Sequence, residues 1–483
     1  MTRFDDWDSS PSSDTNKKKE IVVSLDDDVA RWPEPKKGIQ TKLVLRERPL
    51  FGEFEQAELR AKHERLLQAA KERKDMAHVE IHFSSLDEVT LYKLIELLRH
   101  DDRVWESFTL NGINEMQLFP TTAPAVKVEE LGPLLVAMRN LKKLTLASCN
   151  LSRDHSLLET LLKMLPILTD LHELKLHGWQ IDRVCTNAMI RTLTGAEAKH
   201  LSALSLNSCE FVGGEAVFQK FVGAVKNLAN IESLNLSYCG LDDAQVARLA
   251  KAYQETGLLR RLHLGGNECM TEESVQALSA WIKSTTTLED LNLRALWIGF
   301  AEGIVQRIVD LSSLYDALGE NTTIRRLTLS ENFVGSSDVQ QLKQAFHNNS
   351  NLEFLDISHN PLGAVGANYA LAIVNEHRLK DLRFQNHFCR YPSADQIELQ
   401  LEKNTLDDQL SSLKKKPALA PFILERIQKR TSKGDISKME SSPSLVPDLL
   451  FHVLTAPIGE EEHTGMPLVL QATLRKCKAL SQF

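Results

Sequence analysis

The chain has 483 residues, of which 42% are hydrophobic and 25% are charged, and its formal net charge is −8. This composition is typical of a folded globular protein, and the acidic balance disfavours a dedicated nucleic-acid binder. The sequence contains no run of about 18 apolar residues and no secretion signal, and its seven cysteines form no disulfide pattern. We therefore expect a protein of the reducing cytoplasm that does not span a membrane.

The N-terminal flank divides into two segments. Residues 1–50 contain ten acidic and ten basic side chains and little periodic apolar character, which predicts a disordered segment. Its removal should leave stability nearly unchanged. Residues 51–75 are rich in helix formers, with Leu59 and Leu66 on one apolar stripe, and this predicts a helix that caps the fold that follows.

The middle of the chain repeats the pattern L-x-x-L-x-L-x-x-(N/C)-x-L with a mean period just under 30 residues. Its nine clear copies start at Leu141, Leu171, Leu201, Ile231, Leu259, Leu288, Ile324, Leu352 and Leu379. Two degenerate copies start at Met76 and Trp105. The pattern therefore predicts about eleven repeats over residues 76–389.

Each copy predicts one short strand and one helix. In the copy at Leu141, alternation places Leu144 and Leu146 on a buried face and Lys143 on the opposite face. The Asn or Cys at the ninth position suits a turn, because its side chain can bond backbone groups that the turn leaves unpaired. Helical apolar spacing follows, as in residues 155–168 and 214–228.

This repeat resembles the leucine-rich repeat family, and its period is similar to that of the ribonuclease-inhibitor-like class. The resemblance covers about two thirds of the chain. It implies an α/β solenoid shaped like a horseshoe, with parallel strands on the concave side and helices on the convex side. The apolar spacing of the flanking segments adds helices at both ends.

Two intervals between copies are longer, at 36 residues each. The interval after Trp105 contains the proline-rich residues 119–126, which predict an irregular loop, and the interval after Leu288 predicts a lengthened helix. The frame stops after Cys389. Apolar spacing in residues 390–483 then predicts a helical C-terminal cap or a small appended domain.

The sequence shows no constellation for chemistry. The motifs of phosphate loops, dinucleotide-binding folds, zinc proteases and serine hydrolases are missing. Cys149, Cys209 and Cys239 occupy the ninth position of their repeats, which predicts a packing role rather than a nucleophilic one. We therefore predict no catalytic residue, no cofactor and no metal ion.

The outward strand positions of successive repeats predict a polar strip on the concave face. The candidate partner-binding residues are Lys143, Glu173, Lys175, His177, Asn235, Arg261, His263, Asp290, Asn292, Arg294, Arg326, Phe354, Asp356 and Arg383. Both charge signs alternate along the strip. This favours a protein partner over nucleic acid, which would call for a more uniformly basic surface.

The sequence therefore predicts a monomeric, non-enzymatic scaffold that binds a protein partner of unspecified identity. One alternative is a substrate-recognition subunit of a ubiquitin ligase, although residues 31–75 contain no convincing F-box. A second alternative is a GTPase-activating protein of the Ran type. That family ends in a long acidic tail, whereas the last 94 residues here hold 13 basic and 12 acidic side chains.

Overall fold

The computed structural model describes most of the chain between Ile21 and Asn404. The described residues are 21–24, 40–46, 53–82, 88–100, 104–111, 128–147, 155–195, 199–226, 228, 230–267, 270–296, 298–301, 304–307, 309–349, 351–376, 379–384, 397, 400–401 and 404. They fall into a first unit, which ends at Ile324, and a second unit, which begins at Arg325. Within these ranges, no helix is both long and apolar enough to cross a bilayer.

The first unit alternates strands with helices. Its strands are β1 (Ile21–Ser24), β2 (Thr41–Arg46), β3 (Met76–His82), β4 (Ser107–Asn111), β5 (Lys143–Ala147), β6 (Glu173–His177), β7 (Gln180–Ile181), β8 (Ala203–Ser205), β9 (Glu210–Phe211), β10 (Ser233–Asn235), β11 (Arg261–His263), β12 (Asp290–Asn292), β13 (Ile298–Ala301) and β14 (Ile304–Arg307). Its helices are α1 (Glu53–Lys71), α2 (Glu88–Leu98), α3 (Val128–Ala137), α4 (His155–Met164), α5 (Arg183–Thr194), α6 (Gly214–Val225), α7 (Asp243–Thr256), α8 (Glu272–Ser284) and α9 (Ser312–Glu320). A short 3₁₀ turn at Leu165–Ile167 follows α4.

Among the described residues of this unit, ten strands form one parallel sheet in the order β1-β2-β3-β4-β5-β6-β8-β10-β11-β12. From β2 onward the chain leaves each strand of the sheet, forms a helix and returns one strand further along. Neighbouring helices pack against one another in the same sequence. The result is the α/β repeat architecture that the sequence predicts, with a strand layer and a helix layer.

The core lies between these two layers. Leu144 and Leu146 of β5 are 0% and 1% exposed, whereas Lys143 is exposed, as the alternation predicts. Helix α7 buries Val246 and Leu249 from its side. Burial of each such side chain contributes ~1.5–3 kcal/mol, so the layers stabilise each other.

Local sequence signals set the ends of these helices. The carboxylate of Asp242 accepts a hydrogen bond from the backbone N–H of Gln245 at 2.8 Å. In return, the side-chain oxygen of Gln245 accepts one from the backbone N–H of Asp242 at 3.0 Å. At the other end of α7, Gly257 adopts a left-handed conformation with φ +60°. Such a capping box and terminal glycine confine the helix to one place in the repeat.

The ninth position of the repeat joins consecutive repeats through buried hydrogen bonds. Cys209 Sγ donates to the Leu176 carbonyl at 3.3 Å, and Cys239 Sγ donates to the Leu206 carbonyl at 3.0 Å. Trp179 holds the same position and donates its indole N–H to the carbonyl of Leu146 at 3.0 Å. We call this series the turn ladder. The predicted turn role of this position is confirmed, and the side chain also reaches the preceding repeat.

Asn267 makes the most complete contact in the turn ladder of the first unit. Its Oδ1 accepts from the backbone N–H groups of Cys239 at 2.9 Å and Leu241 at 3.1 Å. Its Nδ2 donates to the carbonyls of Leu236 at 2.9 Å and Leu264 at 2.6 Å. Since all four backbone groups belong to buried turns, one amide side chain satisfies groups that would otherwise be costly to bury.

The position just before the ladder residue has a left-handed backbone. In the first unit these residues are Gly178, Ser208, Tyr238, Gly266 and Ala295, with φ between 49° and 71°. A left-handed conformation is uncommon for residues with a side chain. At Gly266 the glycine is also required for space, because a Cβ there would lie 2.2 Å from Cε1 of the Tyr238 ring.

The second unit continues the same architecture. It contains β15 (Arg326–Thr328), α10 (Ser336–Asn348), β16 (Phe354–Asp356), α11 (Gly363–Glu376) and β17 (Asp381–Arg383), with the three strands parallel and in that order. In this unit Asn360 is at the ninth position of its repeat and belongs to the turn ladder. Its Nδ2 donates to the carbonyl of Leu329 in the preceding repeat at 3.0 Å. Each of the eleven predicted repeat frames therefore contains a strand of the structure.

The end of the second unit bears on the predicted C-terminal cap. Ile397 is 0% exposed, and Asn404 Nδ2 donates to the carbonyls of Val374 and Leu379, each at 3.0 Å. Residues from beyond β17 therefore cover part of the last repeat. Cys389, the expected end of the array, and most of the 390–483 segment lie outside the described residues, so the extent of the cap stays a prediction.

The prediction of a disordered segment over residues 1–50 is wrong for β1 and β2. These strands extend the sheet beyond Met76, and Leu43 and Val44 are 0% and 2% exposed. The helix expected at 51–75 is present as α1, but it follows two strands and packs beside α2, so it is not a terminal cap. The average composition of the segment concealed two short runs rich in β-branched residues and leucine.

The prediction of a lengthened helix after Leu288 is also wrong. That interval forms an antiparallel hairpin of β13 and β14, in which Ala301 pairs with Ile304, and only then the short helix α9. A two-residue connection that contains glycine favours a hairpin, and the β-branched residues on either side favour strands. The loop expected at residues 119–126 lies outside the described residues.

Replacement of Asn267 by alanine should lower the free energy of unfolding by ~2–4 kcal/mol, because four buried backbone groups lose their partner. Asn235→Ala is the matched control, since a single hydrogen bond from the Ser237 N–H to its Oδ1 places it in the local turn. Its cost should be about 1 kcal/mol. Chemical denaturation of both variants measures the difference, and equal losses would contradict the role of the ladder.

Removal of residues 1–46 should expose the edge of β3 and destabilise the adjacent repeats. Leu43 and Val44 each contribute ~1.5–3 kcal/mol through burial. Hydrogen exchange of β3 and β4 should therefore accelerate in this truncated chain. A chain without residues 1–20 keeps both strands and is the control; the same protection in all three chains would show that β1 and β2 do not support the sheet.

Candidate functional site

The strands of the first unit expose one face, which we call the open face. In β6 the outward residues Glu173, Lys175 and His177 are partly exposed, while Leu174 and Leu176 between them are buried. The same alternation holds in β10, β11 and β12, so outward side chains from these neighbouring strands stand side by side. Cross-strand pairs of this kind interact directly.

A lysine–glutamate–lysine cluster lies on β5 and β6. Lys143 pairs with Glu173 in the strand register, and its Nζ lies 3.1 Å from Glu173 Oε2. Lys175 Nζ lies 3.3 Å from Glu173 Oε1. Burial would raise the pKa of Glu173, but the charges and hydrogen bonds of Lys175 and Lys143 hold it below its ordinary value. We call these three residues the lysine cluster.

A second charged group lies on β11 and β12. Arg261 pairs with Asp290 in the strand register, and His263 pairs with Asn292. The distance from His263 Nε2 to Asp290 Oδ1 is 3.9 Å, and Arg261 itself is exposed. The structure therefore brings these predicted site residues together as a second cluster on the same open face.

Two predicted site residues of this unit also hold local turns. Asn235 Oδ1 accepts from the Ser237 N–H at 2.9 Å, and Asn292 Oδ1 accepts from the Arg294 N–H at 3.0 Å. Such bonds fix the backbone where the strand ends. The outward position of both amides predicts partner contacts, and it does not reveal this structural role.

The predicted site residues of the second unit gather around Phe354. The guanidinium of Arg326 lies 4.2 Å from the ring centre and that of Arg383 lies 5.3 Å from it, both within the range of cation–π attraction. Burial raises the pKa of the nearby Asp381 carboxyl above its ordinary value, although both arginines oppose the shift. This group is an arginine–aromatic cluster.

The exposure expected for two residues of β16 is wrong. Phe354 is 4% exposed and Asp356 is 9% exposed. Phe354 is buried in a cluster with two arginine side chains, and Asp356 Oδ1 accepts from the N–H and the hydroxyl of Ser358 at 2.9 and 2.6 Å. The repeat pattern correctly predicts that both side chains point to the outward face of the strand. It does not predict the neighbouring side chains that cover them there.

The open face also extends over β2 and β3, where the sequence predicts no site residue. Lys42 forms an ion pair with Glu80. His78 lies between the strands, with Nδ1 at 2.8 Å from Ser107 Oγ and Nε2 at 3.2 Å from Gln40 Oε1. The β-branched residues and leucines in residues 41–46 are the short signal that could have identified this extension.

The described cysteine thiols are poorly suited to nucleophilic chemistry. Burial raises the pKa of Cys209 to about 12, and burial together with the nearby Asp182 raises that of Cys185 to about 12. Since the thiolate is the reactive form, both thiols are inert at neutral pH. In the described part of the chain, no three His, Cys, Asp or Glu side chains are grouped to hold a metal ion.

The repeated strand–helix units and their turn ladder define a leucine-rich repeat protein. Comparison with known families agrees, because a model described as Leucine Rich repeat matches residues 348–368. The match falls on the copy that contains β16 and the ladder residue Asn360.

Two curated relatives match part of the chain. The capping protein, Arp2/3 and myosin-I linker protein 3 of Rattus norvegicus is 29% identical over 189 residues, which cover 38% of this chain and 13% of that protein. The protein phosphatase 1 regulatory subunit 37 homolog of Caenorhabditis briggsae is 26% identical over 187 residues, or 37% of this chain and 19% of that protein. The match therefore spans less than a fifth of either relative.

Among solved structures, the yeast Rad7 and Elc1 complex contains a chain that is similar to this one with a TM-score of 0.38 and 12% sequence identity. The alignment covers 64% of this chain and 74% of that one.

Glu173→Gln should make the stability of the protein less dependent on pH. Because the folded-state pKa of Glu173 lies below its ordinary value of 4.5, its ionised form adds stability that is complete above about pH 4.5. That stability is lost as the pH falls through the folded-state pKa. The free energy of unfolding of the wild type should therefore exceed that of the variant most near pH 7, and the two values should converge in acid.

Denaturant unfolding at several pH values measures this difference. Glu255→Gln is the control, since its ion pair with Lys226 at 3.0 Å lies on the exposed side of the helix layer and is open to screening by salt. If the loss at pH 7 were no larger for Glu173→Gln than for the control, the lysine cluster would not be an energetically coupled unit.

Proposed function

We propose that this chain is a non-enzymatic, monomeric interaction scaffold of the cytoplasm that binds a protein partner through its open face. The observation that carries the proposal is the fixed placement of the lysine cluster and of Arg261 with Asp290 on one parallel sheet. Strand backbones hold these groups in register, so a partner meets a preorganised surface rather than mobile side chains.

The chemistry of this face suits protein recognition. Its charges alternate in sign and some are partly buried, which favours specificity and orientation over indiscriminate attraction. The names of the two curated relatives describe a linker protein and a regulatory subunit, and both names support a role in protein binding. A repeat array also offers a wide surface without requiring a cleft.

The double variant Lys143→Ala/Arg261→Ala should bind the partner with at least ~10-fold lower affinity, because interface residues of this type contribute ~1–2 kcal/mol each. The matched control is Lys226→Ala/Lys283→Ala, which removes two lysines from the exposed side of the helix layer. The measurement is quantitative affinity capture from cell extract with the full chain, compared across wild type and both variants.

We call the Lys143→Ala/Arg261→Ala double variant the open-face variant. We expect a protein that wild type and the control capture and that the open-face variant does not. Circular dichroism and melting of each variant establish that folding is retained. Capture that the open-face variant preserves in full, or that the control loses equally, would place the binding surface elsewhere.

A further inference from the structure

The open face between β5 and β12 has the opposite charge sign from the chain as a whole. Its outward positions carry four basic side chains, Lys143, Lys175, Arg261 and Arg294, and two acidic ones, Glu173 and Asp290. The formal charge of this surface is therefore +2, whereas that of the full chain is −8. An isolated basic surface on an acidic protein attracts and orients acidic ligands.

The basic groups stand at two separate places on this face. Lys143 and Lys175 share the single carboxylate of Glu173 on one side, at 3.1 and 3.3 Å. Arg261 is exposed on the other side, on β11. The strands between them, β8 and β10, present Ala203, Ser205, Ser233 and Asn235 outward, so no long side chain stands between the two basic places.

We propose that the open face binds an acidic, extended segment of the partner, with one carboxylate at the lysine cluster and another at Arg261. This inference rests on the proposed function and names the chemistry of the partner. Neighbouring strands lie ~4.8 Å apart, so the three intervals from β6 to β11 place the two basic places ~14 Å apart. An extended chain advances ~3.4 Å per residue, so the two acidic residues are about four positions apart.

The carboxylates that lie between the basic groups of the open face favour a peptide ligand over a nucleic acid. Glu173 and Asp290 lie beside the basic groups, and they would repel the closely spaced phosphates of a polynucleotide. A peptide can place single carboxylates against the basic groups and neutral residues against the acidic ones. Such spacing gives selectivity through both attraction and repulsion.

Fluorescence anisotropy with the full chain tests this inference. The probe is a labelled peptide that contains Glu-Glu-Ser-Ser-Glu-Glu, and its neutral counterpart contains Gln in place of every Glu. At low ionic strength the acidic probe should bind wild type, and binding should weaken as salt is added. Lys143→Ala and Arg261→Ala should each reduce affinity ~3–10-fold, whereas Lys226→Ala on the helix layer should leave it unchanged.

Three results would overturn the inference. These are equal binding of the neutral probe, undiminished binding to the Lys143→Ala/Arg261→Ala variant, or tighter binding of a single-stranded oligonucleotide of equal length. The proposed function is judged separately by partner capture. If the open-face variant loses its captured partner while the acidic probe fails to bind wild type, the open face is a binding surface but its ligand is not an acidic segment.

Discussion

The fold depends on one buried contact, the hydrogen bond from the ninth residue of a repeat to a carbonyl of the repeat before it. A single strand–helix unit cannot bury its own backbone turns, so it needs a side chain from its neighbour. Asn267 donates one such bond to Leu236 and makes three further bonds to turn backbone groups, Cys239 supplies a weaker thiol donor, and Trp179 reaches the same carbonyl position through its ring. Different side chains thus meet one geometric requirement, and each of them ties a turn to the repeat before it.

The open face inherits its order from the parallel register of the stacked repeats. Because consecutive strands are held in register, Lys143 and Lys175 approach the same carboxylate of Glu173 without any loop to position them. The affinity of such a surface comes from groups ordered before binding, which reduces the entropy lost when a partner arrives. The repeats supply the rigidity, and the outward residues supply the chemical identity of the surface.

The sequence predicted the periodic parts of the fold well and the aperiodic parts poorly. Leu144 and Leu146 could be placed because alternation alone determines which strand face they occupy. The strand that buries Leu43 was missed, since four or six residues in a charged segment leave too short a pattern to detect. The burial of Phe354 depends on arginines from neighbouring strands, and contacts between repeats have no signature in a single repeat.

The left-handed residue that precedes each ladder position also determines how the repeat can diversify. Ser208, Tyr238 and Ala295 differ in size and polarity yet share nearly the same backbone conformation. The constraint at this position is therefore on the backbone, which disfavours β-branched residues and admits other side chains where there is space for them. The array can thus vary this side chain from repeat to repeat while the hydrogen-bonded scaffold stays the same, except where a neighbour leaves no space for a Cβ, as at Gly266.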